Sequence, residues 1–378
     1  MHTYETIIVG AGAAGLGCAR TLQEEGSNHD FLVITKDIGG RIHKTKNGQI
    51  YDGALFGLSN YKKVLAIVDF ERLANPLKIR FYDKNVKSYT ILSLLKNPIQ
   101  LFKYLKVLRK FNKKYLAYRV RAEIIGQKKA LEEDPELLRY YFQSSKDFVK
   151  GSGFETIIKK YITYVMYSFA FEPVSHLSTF DLLRYSLVAL GPTHEISFDE
   201  KQAVRGFEDR IVRNEVVSFT KTKNVYIVRT ESGEEFKSVN LVFATEPSVT
   251  KKLLDLPAMR IGTYVHVFSI QGKLKPIYRE DSMYQAFPVG SEIIAFVREN
   301  NDTYIVASKS KNPDFGDIFS DFIVITDKYW RSAFHLKVDG TLLEADLGDR
   351  LYMIGDYNVV GIEDSYITGI YAAKKILN

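Results

Sequence analysis

The sequence of 378 residues contains a single cysteine, a single tryptophan and only ten prolines. One thiol cannot form a disulfide within the chain or complete a cysteine-based zinc site, so Cys18 is predicted to be a packing residue of a helix. No run of 18 apolar residues is present, which argues against a membrane-spanning helix. The first strand follows the N-terminus almost directly, without a basic segment, so no signal peptide is predicted. These absences predict a cytoplasmic protein.

Basic residues are abundant, and their excess is local. The net charge is +7, and residues 96–129 contain eleven Lys or Arg against one acid, Glu123. In this segment lysines and leucines follow different faces of a predicted helix that begins at Pro98. A solvated face over a helical cap domain explains this pattern, and peripheral contact with an anionic membrane through 96–129 is the alternative. Nucleic-acid binding is not predicted, because no recognised binding module accompanies the charge.

The strongest motif lies at residues 7–15. An apolar run over 7–9 predicts a buried strand, and Gly10, Gly12 and Gly15 then form G-x-G-x-x-G on the turn into a helix. Gly10 makes the tight turn, Gly12 lets the backbone approach a pyrophosphate, and Gly15 lets helix and strand pack closely. The unpaired N–H groups at the helix N-terminus, around Ala14, favour a diphosphate. The segment therefore predicts dinucleotide binding.

The second strand, predicted at residues 31–34, departs from the usual nucleotide-binding pattern. An acidic residue near its end normally holds both ribose hydroxyls. Here Thr35 stands twenty residues after Gly15, followed by Lys36 and Asp37. Thr35 and Lys36 are predicted cofactor contacts, and whether Thr35 or Asp37 holds the ribose stays open.

The next segments, 37–42 (DIGGRI) and 51–56 (YDGALF), resemble those of the flavin-containing amine oxidase, phytoene desaturase and protoporphyrinogen oxidase superfamily. That superfamily carries G-G-R after the second strand and then a D-G segment beside the flavin. The resemblance places Gly39, Gly40 and Arg41 along the FAD diphosphate and ribityl chain, and Gly53, Ala54 and Leu55 near the flavin ring.

Two later segments extend the resemblance. Residues 214–247 alternate as an antiparallel meander followed by a buried strand, and the family's adenine-contacting valine corresponds to Val216. Near the C-terminus a strand ends in Gly355-Asp356, and a helix begins near Ile362. The resemblance assigns Asp356 to the ribityl hydroxyls and the Ile362 backbone to the pyrimidine edge of the flavin. There the helix dipole favours the negative charge gained on reduction.

The sequence also departs from this family. Amine oxidases usually carry a lysine near the first strand of the substrate domain, where this chain has Tyr264 and His266. These two residues are the candidates for catalytic contacts. The segment 330–334 (WRSAF) resembles the family's W-x-x-A-x-P, but His335 replaces the proline. No cluster of histidines or acids predicts a metal site or a catalytic triad.

The predicted fold is α/β, with a doubly wound, Rossmann-like FAD-binding domain and an inserted α+β substrate domain. The FAD-binding domain is assigned to 1–60, 204–255 and 330–378, and the substrate domain to 61–203 and 256–329. The resemblance implies non-covalent FAD that takes a hydride at N5 from an amine or an activated, isoprenoid-like carbon. Oxidase and dehydrogenase activity are both open, and no oligomeric state is predicted.

Two alternatives keep the same fold. The first is a flavin-dependent isomerase or sugar mutase without net oxidation, in which Arg184 and Arg298 are the candidates to line a nucleotide-sugar pocket. The second is a prenyl-carrying escort protein without a redox role, against which the complete glycine motif and Gly355-Asp356 argue. The aromatic content, 24 Tyr and 24 Phe, suits a thick core and also an apolar substrate.

Overall fold

The computed structural model describes residues 2–42, 53–54, 56–83, 85, 88–254, 256, 260, 262–278, 281–300, 302–336 and 341–378. The helices are α1 (Ala13–Glu25), α2 (Pro98–Ile125), α3 (Gln127–Glu132), α4 (Pro135–Phe142), α5 (Ser145–Val149), α6 (Glu155–Ile157), α7 (Thr163–Ala170), α8 (Thr179–Tyr185), α9 (Glu200–Ala203), α10 (Pro247–Leu253) and α11 (Ile362–Leu377).

The strands from the first half of the chain are β1 (Thr3–Ala11), β2 (Phe31–Ile38), β3 (Phe56–Leu58), β4 (Asp69–Leu73), β5 (Ile79–Tyr82), β6 (Ser88–Tyr89) and β7 (Thr193–Ser197). Those from the second half are β8 (Ile211–Arg213), β9 (Val216–Thr222), β10 (Val225–Thr230), β11 (Glu235–Phe243), β12 (Gly262–Leu274), β13 (Tyr284–Ala286), β14 (Ile293–Asn300), β15 (Thr303–Ser308), β16 (Phe319–His335) and β17 (Leu351–Met353).

The first sheet has the strand order β8-β2-β1-β11-β10-β9, and β17 also pairs with β11. Strand β1 pairs in parallel with both β2 and β11. Its residues Ile7 and Ile8 are fully buried, as expected for the apolar run of a parallel strand covered on both faces. Strands β9 and β10 form the predicted antiparallel meander.

Strand β11 brings the two ends of the chain together. On the edge of β11 that faces away from β1, residues 235–238 pair antiparallel with β10. On the same edge, residues 241–243 pair in parallel with β17. The carboxyl ends of β1, β11 and β17 therefore lie side by side, and helices α1 and α11 follow β1 and β17. The two helices pack so closely that a Cβ on Gly369 would lie 2.1 Å from the Ala14 carbonyl oxygen.

The second sheet has the order β16-β12-β15-β14-β13-β5-β6. Its strands β12, β14 and β15 lie within residues 256–329, which the sequence analysis assigns to the substrate domain. Strand β16, whose last residues include 330–335, belongs to this sheet rather than to the first. A third, small sheet, β3-β7-β4, crosses the region predicted to be mainly helical.

Helix α2 begins at Pro98, as predicted, and buries an aromatic face that includes Tyr104, Phe111 and Tyr115. Part of its basic charge has acidic partners: Lys114 lies 2.9 Å from Asp134, and Lys110 lies 2.8 Å from Glu136. Among the residues described, no helix has the length and apolar character needed to cross a bilayer.

Candidate functional site

A cavity of about 650 Å³ lies between the first and second sheets. This volume falls within the range of about 300–1,000 Å³ that is usual for ligand sites. Its wall includes residues from both ends of the chain. The predicted cofactor residues that line it are Gly10, Gly12, Ala14, Thr35, Lys36, Gly39, Gly40, Arg41, Gly53, Ala54, Val216, Gly355, Asp356 and Ile362.

The turn from β1 to α1 presents backbone rather than side chains to the cavity. Gly10 has φ +102°, a conformation that L side chains rarely adopt. Gly12 is the N-cap of α1, and a Cβ there would meet no protein atom within 4 Å. The first turn of α1 contains no acidic residue. The positive end of the helix dipole is therefore free to attract an anionic group. Gly15 does not line the cavity, because it packs against the Gly10 carbonyl.

The end of β2 favours Asp37 over Thr35 as a partner for hydroxyls. The Thr35 hydroxyl donates to the Asp37 carbonyl oxygen at 2.6 Å and accepts from the Ala11 N–H at 3.1 Å. Its single proton is thus used inside the protein. The Asp37 side chain is exposed on the cavity wall. Beside it, the exposed Lys36 lies 3.3 Å from Glu215, which raises the pKa of the lysine.

Arg41 and Asp356 link the two ends of the chain through an ion pair. The Arg41 Nη2 atom lies 2.7 Å from Asp356 Oδ1, and its Nη1 atom donates to the Ala333 carbonyl oxygen. Burial alone would raise the pKa of Asp356, but the charges of Arg41 and His335 outweigh burial and lower it. The second carboxylate oxygen, Oδ2, is buried without a hydrogen-bond partner among the described residues. His335 Nδ1 lies 3.7 Å from Oδ2.

The segment that follows Arg41 is described only in part. A Cβ on Gly53 would lie 1.9 Å from the Arg41 carbonyl oxygen, so this position requires glycine. The Ala54 N–H donates to the same carbonyl oxygen at 2.7 Å. These contacts place Gly53 and Ala54 on the cavity wall. The predicted contact Leu55 and residues 51 and 52 of the D-G segment lie outside the described residues.

Helix α11 begins at the cavity, and the acidic residues of its first turn are held elsewhere. Glu363 accepts hydrogen bonds from backbone N–H groups of residues 62–64. Asp364 accepts from the Tyr115 hydroxyl at 2.7 Å and from Arg119 at 2.9 Å. The backbone at Gly361 and Ile362 lines the cavity, and Asp364, paired with Arg119, lies close to Gly361, where a Cβ would be 2.9 Å from its Oδ2 atom.

The opposite part of the cavity is aromatic and aliphatic. The rings of Phe169 and Tyr284 stack with centroids 5.0 Å apart. Among the described residues outside the first sheet and its loops, the charged side chains on this wall are Arg184 and Lys328. The aromatic side chains on the cavity wall are Phe56, Tyr61, Phe169, Phe171, Tyr185, Tyr284, Trp330 and Phe334. This end suits an apolar ligand.

Comparisons with known proteins agree with this geometry. Residues 8–69 match the sequence model of an NAD(P)-binding Rossmann-like domain. The whole chain superimposes on putrescine oxidase bound to putrescine with a TM-score of 0.70 at 12% identity, covering 99% of each chain. The chain has the two-domain fold of the flavin-containing amine oxidases. No curated protein sequence matches the chain.

Other structures with the amine oxidase fold are equally similar. A CLA-producing fatty acid isomerase from P. acnes has a TM-score of 0.69 at 13% identity, covering 99% of this chain and 98% of that one. Cyclohexylamine oxidase from Brevibacterium oxydans IH-35A has a TM-score of 0.68 at 13% identity, covering 100% and 98%. The resemblance and the predicted two-domain α/β fold are thus confirmed.

The structure places the two catalytic candidates away from this cavity. Because side chains alternate along a strand, Val265 and Val267 of β12 line the cavity, while the neighbouring Tyr264 and His266 point to the other face. His266 Nδ1 lies 3.6 Å from Asp327 Oδ1 on that face. Neither residue therefore lines this cavity, and their contact with a substrate stays a prediction.

Some residues in or beside the cavity were not predicted from the sequence. His335, noted only as a departure from proline, is 4% exposed and lies beside Asp356. The aromatic wall is drawn from α7, α8 and three strands that are distant in sequence. The high content of Tyr and Phe was the only signal for it, and composition does not say which rings meet.

Proposed function

We propose that the chain binds FAD non-covalently and is an FAD-dependent oxidoreductase that removes a hydride from a substrate C–H. The observation that carries the proposal is the buried carboxylate of Asp356, a residue of the cavity wall, whose Oδ2 atom has no hydrogen-bond partner among the described residues. A buried carboxylate oxygen without a donor is costly, and a ligand hydroxyl supplies one. The ribityl chain of FAD carries such hydroxyls.

The described residues fit the other parts of FAD. The turn at Gly10 and Gly12, with the start of α1, would hold the diphosphate. Asp37 would accept from the ribose hydroxyls, because both of its carboxylate oxygens are acceptors. The backbone at Ile362 would face the pyrimidine edge. FAD supplies the hydride-accepting chemistry when bound.

The chain's own contribution to the reaction is positioning and exclusion of water. The aromatic side chains opposite the nucleotide-binding sheet would hold an apolar substrate in one orientation and keep the site dry. Arg41 holds Asp356 ionised, because the neighbouring guanidinium lowers the pKa of the carboxyl group. Among the described cavity residues the arrangement supplies no nucleophile paired with a base, which agrees with chemistry carried by a cofactor.

The test is purification and spectroscopy of the full chain. We expect a yellow protein whose flavin is released by denaturation. In the folded protein the flavin is then photoreduced, and its reoxidation in air is timed. Rapid reoxidation indicates an oxidase, and slow reoxidation indicates a dehydrogenase. A protein that stays colourless after incubation with excess FAD contradicts the proposal and favours the escort alternative.

A flavin-dependent isomerase is the second candidate. Two observations favour it: the similarity to a fatty acid isomerase, and the absence of carboxylates from the described part of the aromatic wall. An isomerase would turn over without an external electron acceptor. Turnover of a substrate under anaerobic conditions, with no net change in flavin absorbance, distinguishes it from an oxidoreductase.

We also propose peripheral membrane contact at the start of α2. Ile99 and Phe102 are 73% and 65% exposed. With Lys103 and Lys106 they recur at helical spacing on one face, a pattern typical of helices that lie on anionic bilayers. We expect sedimentation with anionic vesicles at low salt, and loss of it in a variant with Ile99→Ser and Phe102→Ser. Equal sedimentation of both proteins contradicts the proposal.

A further inference from the structure

Arg184, near the end of α8, is a buried cation on the cavity wall. Its side chain is 7% exposed. Its Nε and Nη2 atoms are buried and lack hydrogen-bond partners, and the nearest carboxylate oxygen, Asp181 Oδ1, is 4.0 Å from Nε. A buried guanidinium in this state is costly unless a ligand neutralises it.

The charges around Arg184 do not balance. Arg260 forms an ion pair with Asp181, and Arg119 forms one with Asp364. These three arginines therefore face two carboxylates within one buried network, which leaves one positive charge over. Of the three arginines only Arg184 lines the cavity.

The position of Arg184 adds to the attraction for an anion. A Cβ on Gly361 would lie 3.3 Å from its Nη1 atom, so the guanidinium stands beside the N-terminus of α11. The N-terminus of a helix is the positive end of its dipole, so the helix and the guanidinium both attract an anion there. The Tyr185 ring lies 4.0 Å from the guanidinium carbon and fixes its plane.

We propose that Arg184 binds the carboxylate of the substrate, and that the substrate is an apolar carboxylic acid rather than an amine. This inference rests on the proposed function, since it names the substrate class of the same cavity. A guanidinium pairs with a carboxylate in a planar, charge-assisted geometry. The aromatic wall takes the apolar body. An ammonium group would meet a buried like charge, with no carboxylate on the described part of that wall to offset it.

The test compares three ligands of equal chain length, octanoate, octylamine and octanol, on the FAD-loaded protein. Binding is measured by the change in flavin absorbance and by the shift in melting temperature. We expect octanoate to bind at least tenfold more tightly than octylamine. Arg184→Met should weaken octanoate binding by about 10- to 150-fold, the loss of one charge-assisted hydrogen bond. Arg331→Met removes an exposed arginine of β16 that does not line the cavity, and it should leave octanoate affinity within about threefold.

Stability and redox measurements separate this role from others. Removal of an uncompensated buried charge should keep or raise the melting temperature of ligand-free R184M, whereas a structural arginine would lower it. If R184M does not fold, R184K, which keeps the charge but loses the planar geometry, should still bind octanoate more weakly than the wild type. A lower flavin reduction potential in R184M with unchanged octanoate affinity assigns the charge to the flavin and overturns the inference.

The outcomes also separate this inference from the proposed function. A yellow protein that binds octylamine as tightly as octanoate overturns the carboxylate assignment and leaves the flavin chemistry standing. A protein that takes up no FAD overturns the proposed function. In that case octanoate-induced stabilisation of the apoprotein, present in the wild type and absent in R184M, still decides whether Arg184 is an anion site.

Discussion

We expect replacement by alanine to have different effects at Gly12 and at Gly15, although both belong to the same motif. A Cβ on Gly12 would meet no protein atom within 4 Å and would project toward the cavity. A Cβ on Gly15 would lie 1.9 Å from the Gly10 carbonyl oxygen. Gly12→Ala should therefore affect a bound dinucleotide, and Gly15→Ala should affect the fold.

The magnitudes follow from the local structure. Gly12 has φ −76° and ψ −175°, a conformation open to alanine, so the entropic gain of about 0.4–1 kcal/mol offsets the poorer N-cap. The net change in the stability of the G12A apoprotein is then within about 1 kcal/mol. For G15A, overpacking against backbone costs about 3 kcal/mol, and the better helix propensity of alanine returns about 1 kcal/mol. G15A should therefore lose about 2 kcal/mol.

For FAD affinity we expect the reverse order, with the larger loss in G12A. The Gly12 methyl would hold the diphosphate away from the N–H groups of α1, and losing one charge-assisted hydrogen bond weakens binding by about 10- to 150-fold. The assay pairs thermal unfolding of the apoproteins, followed by circular dichroism, with FAD titration by fluorescence quenching. If G12A lowers the melting temperature as much as G15A, or binds FAD as tightly as the wild type, the assignment of Gly12 to the diphosphate is refuted.

Three further predictions concern ionisable groups. Asp356→Asn should weaken FAD binding by about 10- to 150-fold in the same titration. The control Asp349→Asn, which removes an exposed ion pair with Lys221, should leave FAD binding unchanged. Equal effects of the two substitutions would contradict the role of Asp356. The pKa of Asp356 is lowered in the folded chain, so its stabilising effect is present above about pH 4 and is lost as the pH falls. Between pH 5 and pH 3 the melting temperature of D356N should therefore decrease less than that of the wild type. Burial raises the pKa of several tyrosines to about 12, so their contribution is present below pH 10 and lost as the pH rises toward 12. Absorbance at 295 nm should show tyrosinate forming together with unfolding, and full ionisation in a still-folded chain near pH 10 would contradict their burial. These tyrosines are Tyr61, Tyr140, Tyr141, Tyr278 and Tyr352.

The nucleotide-binding half could be predicted because its signals are local. The strand, glycine turn and helix over 7–25 need only neighbouring residues, and so does the start of α2 at Pro98. The small sheet β3-β7-β4 was missed, since its strands are three to five residues long and pair residues more than 100 positions apart. Pairing at such a distance leaves no periodic pattern in either segment.

The choice between Thr35 and Asp37 shows where residue type stops being informative. Thr35 stands at the family's ribose position, yet its hydroxyl donates to the Asp37 carbonyl oxygen at 2.6 Å. The sequence shows a hydroxyl but not where its proton is used. Only the turn geometry at the end of β2 shows that the proton is already engaged and that a carboxylate two residues later reaches the cavity.

In the second sheet, the side chains that line the cavity are those on the strand face turned toward it. A register shift of one residue would exchange the two faces of a strand. Val265 and Val267 line the cavity, whereas Tyr264 and His266, the chemically richer residues, point away. The register of β12 against β16 is continuous over residues 265–269, between two bulges, and fixes this alternation there. The reactive side chains of that strand therefore do not line the cavity. The chain's contribution at this wall is then shape and the single buried charge of Arg184, so substrate choice should follow ligand charge and apolar fit rather than proton transfer by a strand residue.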